Sequence, residues 1–104
     1  MGEIALLYST FADRADAERV ARTVLDEQLA ACVNVLPPCM SIYRWRGEIA
    51  QGEEVPALFK TSPALEQRLR ERIAELHRYD LPVVESWPAT TADTVCDWIA
   101  AETR

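Results

Sequence analysis

One imidazole, three thiols and a single lysine are the side chains best suited to specific chemistry here: His77, Cys32, Cys39, Cys96 and Lys60. A lone histidine holds a metal only with help, because borderline and soft metals take two or more nitrogen or sulfur donors. His77 therefore has two readings. It is a helix-terminal cation meeting the last carbonyls after Leu76, or a ligand completed by Cys32 or a carboxylate from a second copy. The cysteines show no CxxC spacing, and each lies in an apolar run where a small buried hydrophobe belongs. Glu48, Glu53 and Glu54 cluster without the spacing of a calcium loop, as a solvated rim does. Tyr43, Trp45 and Tyr79 are suited to pocket walls or to interface packing. Lys60 suits an anion, a buried carboxylate or a plain surface charge.

Much chemistry is excluded. Three glycines and no GxxxxGK[ST] or GxGxxG leave no loop to cradle a phosphate. There is no nucleophile elbow to pair with the one histidine. The chain reads as no enzyme, with no organic cofactor.

The elements that must position these residues follow from periodicity. Ile4-Ala5-Leu6-Leu7-Tyr8 is a short apolar run, a buried strand. Asp13 is an N-cap, and behind it Ala17, Val20, Ala21, Val24, Leu25 and Leu29 recur at spacings of three and four, one helix stripe. From Cys32 the period becomes two, through Val33 and Val35 and on to Met40–Trp45, with Pro37-Pro38 at an edge or bulge. Arg46-Gly47 is a tight turn, and the return strand starts at Glu48-Ile49 and resumes from Val55 to Thr61, weakened at Pro56. Ser62-Pro63 starts a second helix with Leu65, Leu69, Ile73 and Leu76 inward. Leu81–Trp87 is predicted as a further strand. After Pro88 a last helix carries Val95, Trp98 and Ile99.

The order β-α-β-β-α-β with an appended helix predicts an α+β, ferredoxin-like sandwich with a long central hairpin, one domain over 1–104. Right-handed crossovers place both helices on one sheet face and leave the other partly bare. That bare face and a protruding aromatic hairpin predict burial against another subunit.

Composition narrows the partners. Of 104 residues, 11 are Lys or Arg and 17 Asp or Glu, a net charge of −6, so duplex nucleic acid and anionic membrane are poor partners. No apolar run reaches the roughly 20 residues of a membrane span. The acidic N-terminus does not read as a secretory leader, and the odd cysteine count suits a reducing, cytoplasmic setting.

Several segments together resemble one family, the CutA-type divalent-cation tolerance proteins. They are Leu29-Ala30-Ala31-Cys32-Val33-Asn34, Ser41-Ile42-Tyr43-Arg44-Trp45-Arg46-Gly47, Phe59-Lys60-Thr61, His77-Arg78-Tyr79-Asp80-Leu81-Pro82 and Asp97-Trp98-Ile99. The resemblance implies a ferredoxin-like fold assembled as a homotrimer, with hairpin strands extending neighbouring sheets, and a link to copper and other divalent metals. The chain departs from the family pattern at Val83, where an acidic residue is usual, and at Val95, where an aromatic is. Pro56 stands in a strand that is usually continuous. Ser9 and Leu76 replace a cysteine and a second histidine found in some members, so His77 alone remains of that copper set.

Two functions follow as expectations. The first is a cytoplasmic trimer in divalent-cation tolerance, binding copper or another divalent cation weakly near its subunit interfaces through His77, assisted by Cys32. The second is an adaptor or regulatory trimer, similar in architecture to PII-type proteins. Its intersubunit clefts, lined by Tyr43, Trp45, Lys60 and Tyr79, would take a small anion or a partner segment.

Overall fold

The first strand, β1 (Gly2–Phe11), is apolar on both sides because it lies inside the sheet, with a partner strand on each edge. The computed structural model describes all 104 residues. Helix α1 (Arg14–Asp26) starts where expected: Asp13 is extended, and its carboxylate accepts the Asp16 amide at 2.8 Å. Its end is a Schellman turn. Gln28 takes the left-handed conformation at φ 60°, its amide bonding Leu25 and that of Leu29 bonding Val24.

Strands β2 (Cys32–Val35), β3 (Cys39–Trp45), β4 (Glu48–Thr61) and β5 (Glu85–Thr91) complete an antiparallel sheet in the order β2-β4-β1-β5. This is the strand order of the ferredoxin-like sandwich, so the α+β expectation is met. A 3-10 turn at Pro63–Leu65 leads into α2 (Glu66–Leu76). The Ser62-Pro63 start is therefore correct in place, although the Ser62 side chain makes no cap bond.

The odd-numbered residues of β1 and β4, Ala5, Leu7, Phe11, Val55, Ala57 and Phe59, form one core with Val20 and Val24 of α1 and Leu69 and Ile73 of α2. Both crossover helices thus cover one face, as predicted. Two polar groups in this layer are satisfied: Ser9 donates to the Val83 carbonyl at 2.8 Å and Thr61 to that of Leu29 at 2.7 Å.

The opposite face is partly bare, as expected, and helix α3 (Asp93–Glu102) covers the rest of it. This helix crosses one end of the face, so close that a Cβ on Gly2 would lie 2.8 Å from the Cys96 sulfur. Ile99 is fully buried. Leu6, Tyr8, Leu58 and Lys60 stay half-buried on the uncovered remainder.

The last strand is displaced. Pairing begins at Glu85 opposite Tyr8 and runs through Pro88 to Thr91, whereas Leu81–Val84 carries no strand. Pro88 is tolerated because β5 is an edge, where a missing donor breaks no ladder. The run Leu81–Val84 is apolar for another reason: it is a connection whose Val83 carbonyl holds Ser9.

The long hairpin is present. Trp45 faces Glu48 across the two-residue turn Arg46-Gly47, whose φ values of 51° and 84° are those a type I′ turn requires. The first half of β4 pairs only with β3, and the molecule measures 45 × 25 × 23 Å. Met40, Ile42 and Ile49 share one hairpin face and are exposed; Cys39, Ser41, Tyr43 and Trp45 share the other.

Candidate functional site

The densest polar cluster lies at the hairpin root. Glu54 closes the pairing with β3, opposite Cys39, just before β4 turns to β1 and β2. Its Oε2 accepts the Thr10 hydroxyl at 2.9 Å and the Tyr79 phenol at 2.8 Å. Burial alone would push this carboxyl up. The nearby Ser41 hydroxyl and the hydrogen bonds from Tyr79 and Thr10 outweigh it and hold the group below the ordinary carboxylate value. The same geometry drives the Tyr79 phenol in the opposite direction: burial, then its bond to the Glu54 carboxylate, raise its pKa well above normal. Tyr8, on the open sheet face, is raised by burial and by the charges of Cys39, Glu85 and Glu54.

His77 sits beneath this cluster. Its backbone amide ends α2 by bonding Ile73, but its ring does not meet the last helical carbonyls. Arg19 does that instead, donating to the Leu76 carbonyl at 2.8 Å while gripping the buried Asp16. His77 is 8% exposed, its ring stacked on Phe11 at 4.6 Å with Nε2 2.8 Å from the Thr10 carbonyl. The Tyr79 amide donates to Nδ1 at 3.3 Å, which makes Nδ1 the acceptor and Nε2–H the donor. Both ring nitrogens are therefore engaged, and the helix-terminal cation is replaced by a packed, hydrogen-bonded imidazole.

The other predicted residues are spread out. Cys32 faces Lys60 across β2 and β4, while His77 sits at the Thr10 end of β1. Two strands and four residues separate them, on the order of 15 Å at sheet spacings. Tyr43 pairs with Ala50, ten residues along β4 from Lys60, a span of about 33 Å. Trp45 is further out, its ring under the Arg46 guanidinium. A cleft uniting Tyr43, Trp45, Lys60 and Tyr79 is therefore not assembled within one chain. Lys60 forms no ion pair. The three cysteines are free and half-buried, less enclosed than core hydrophobes.

These positions bear on the metal that the family resemblance implies. No group of three His, Cys, Asp or Glu side chains is gathered to hold an ion. His77 could take one only by surrendering the Tyr79 amide or the Thr10 carbonyl. The residues of a single chain do not fit a metal centre.

Sequence reasoning missed Glu54 as a network member. Its partners are 44 and 25 residues away, and its neighbours Glu48 and Glu53 favour a solvated rim. The one available signal was parity, since Thr10 and Glu54 lie at the ends of facing strands.

Comparison with known proteins agrees with the fold. The family model described as CutA1 divalent ion tolerance protein matches residues 5–102. The divalent-cation tolerance protein CutA of Thermus thermophilus is 35% identical over 104 residues, covering 99% of each chain. The crystal structure of CutA from Xylella fastidiosa superposes with a TM-score of 0.93 at 33% identity, covering 97% of this chain and 98% of that one. A structure from Archaeoglobus fulgidus, described as a periplasmic divalent cation tolerance protein, superposes at 0.90 with 29% identity over 95% and 97%. A family-model match over nearly the whole chain, with a relative 35% identical along almost its full length and closely superposing structures, puts this chain in the CutA1 divalent ion tolerance family.

Proposed function

We propose that this chain contributes to divalent-cation tolerance as a homotrimer, without turnover, and that it contacts copper or another divalent cation weakly and across subunits. One observation carries the intersubunit placement: His77 has both nitrogens engaged, and Cys32 lies on the order of 15 Å away in the same chain. Any ligand set that includes both must draw on two copies. The exposed hairpin face, Met40, Ile42 and Ile49, supports self-association, since burying it removes apolar surface from water. The three free thiols favour a reducing, cytoplasmic setting.

Calorimetric titration with copper and with zinc at neutral pH, on the native protein and on His77→Ala, tests the metal contact. Weak binding that the substitution abolishes is expected; equal binding by both removes His77 from the site. Sedimentation of a single species near the 11.7 kDa chain mass would remove the trimer.

A second reading rests on Lys60. An ammonium without an acidic partner, on the open half of a sheet face, is suited to a small anion or to a partner's carboxylate. Stabilisation by millimolar anionic metabolites in a thermal-shift screen, lost in Lys60→Met, is its expected signature.

A further inference from the structure

We infer that the Glu54 carboxylate is a latch that sets the direction in which the β3–β4 hairpin leaves the sheet, and that self-association depends on this carboxylate being ionised. The second half rests on the homotrimer reading above; the first half does not.

β1 pairs with β4 as far as Val55, opposite Phe11, but on the other edge the backbone gives the hairpin root little hold. Between the pairs Val35–Ala57 and Cys39–Glu54, three residues of one strand (36–38) face two of β4 (55 and 56). This is a bulge, and three of its five residues are prolines. Within it Leu36 donates to the Pro56 carbonyl at 2.9 Å. In an extended strand the N–H and C=O of one residue point the same way, so the donor Pro56 lacks would have faced Leu36–Pro38. Pro37 and Pro38 have no donor to return. With so few ladder bonds on that edge, the hairpin bends there more easily than a strand paired on both sides.

Side chains fill the deficit at one point. Glu54 is the last β4 residue paired with β3, and it ties that position to Thr10 of β1 and to Tyr79 of the α2–β5 connection. Tyr79 is itself braced, its amide on His77 and its ring tilted against the imidazole at 4.6 Å. The hairpin root is thereby held to two elements of the rigid body by bonds that both end on one carboxylate oxygen.

Ionisation matters because a charged acceptor makes stronger hydrogen bonds than a neutral one. The groups facing Glu54 are Tyr8 and Thr10 from β1, Cys39 and Ser41 from β3, and His77 and Tyr79 from the α2–β5 connection. Glu85 of β5 reaches the same site through Tyr8, while Asp16 and Tyr43 act on Tyr79. The folded carboxyl is held below its ordinary 4.5. The latch is therefore fully engaged at neutral pH, and is released only as pH falls from about 4.5 through the depressed folded value. A released hairpin presents Met40, Ile42 and Ile49 at a variable angle, and a neighbour must then order it on binding.

The test uses the full chain, native, Glu54→Gln and Tyr79→Phe. Hydrogen exchange reads the amides of Met40–Arg44 against the sheet amides of Leu6–Tyr8, corrected for intrinsic rates, and sedimentation equilibrium reads the dissociation constant. At pH 7 Glu54→Gln is expected to speed hairpin exchange and to weaken association, each by about tenfold, the factor attached to one charge-assisted bond, with sheet amides unchanged. Tyr79→Phe is expected to do the same by about threefold, since the Thr10 bond survives. As pH falls from about 4.5 through the depressed folded value, native association weakens toward that of Glu54→Gln, which lacks this titration. Native exchange and native association in both variants overturn the latch. If Glu54→Gln does not fold, Tyr79→Phe decides on the same two readings. If the native chain is a monomer, the homotrimer reading fails and hairpin exchange alone decides the latch.

Discussion

Two parts of β4 live under different physics. From Val55 to Thr61 the strand is buried under α1 and α2, pairing with β1 along its whole length and with β2 from Ala57 to Lys60. From Glu48 to Glu54 the strand has one partner, and its apolar residues face water, with Ile49 72% exposed. One continuous strand therefore runs from a completed core into an exposed hairpin. The covered half is stabilised within the chain. The hairpin half contributes little to the monomer, and its hydrophobic residues gain only when something buries them.

The largest effect separating the halves is expected from Phe59→Ala. Phe59 is fully enclosed, and truncating it should cost about 3–5 kcal/mol in urea unfolding. A loss below about 1 kcal/mol would mean that the core is not centred there. Gly47→Ala comes next. A non-glycine residue at φ 84° is strained by about 1–2 kcal/mol, and the cost should appear as faster hairpin exchange more than as a lower global stability. Removing the α1 cap with Asp13→Ala should cost about 1 kcal/mol, read by the same unfolding curve. Ile42→Ser should change monomer stability by less than about 0.5 kcal/mol while weakening association measurably. Equal loss in both would dissolve the contrast between the halves.

How much was legible depended on how local each signal is. The α1 cap, the Schellman end, the Arg46-Gly47 turn and the inward stripe of α2 all involve residues within a few positions of one another. Each was read in the right place except the helix stop, which has Gln28 where glycine is usual. Strand β5 was misplaced because an apolar run and a proline are ambiguous until the edge position is known. Pro88 counts against a central strand and is harmless on this one. The open sheet face was read correctly for its far half, but α3 was not foreseen as its cover, since a short helix can fold to either side.

The site was less legible than the fold. Glu54, Thr10, Tyr79 and His77 meet only because β1 and β4 pair in one register and the chain returns from α2 past their ends. Nothing in the local sequence distinguishes Glu54 from Glu53, its exposed neighbour on the other hairpin face.

The sequence by itself determined the helices, the strands other than β5, the turn chemistry, the acidic balance and, through motifs in series, the family. These are short-range or compositional properties, set by side-chain periodicity and backbone sterics along the chain. Tertiary structure alone decided that His77 is a hydrogen-bonded core residue, that Lys60 stands unpaired, and that one carboxylate joins hairpin to body. Each depends on register and on which face an element covers, because burial and partner, and not residue type, set what a charged or polar group can do.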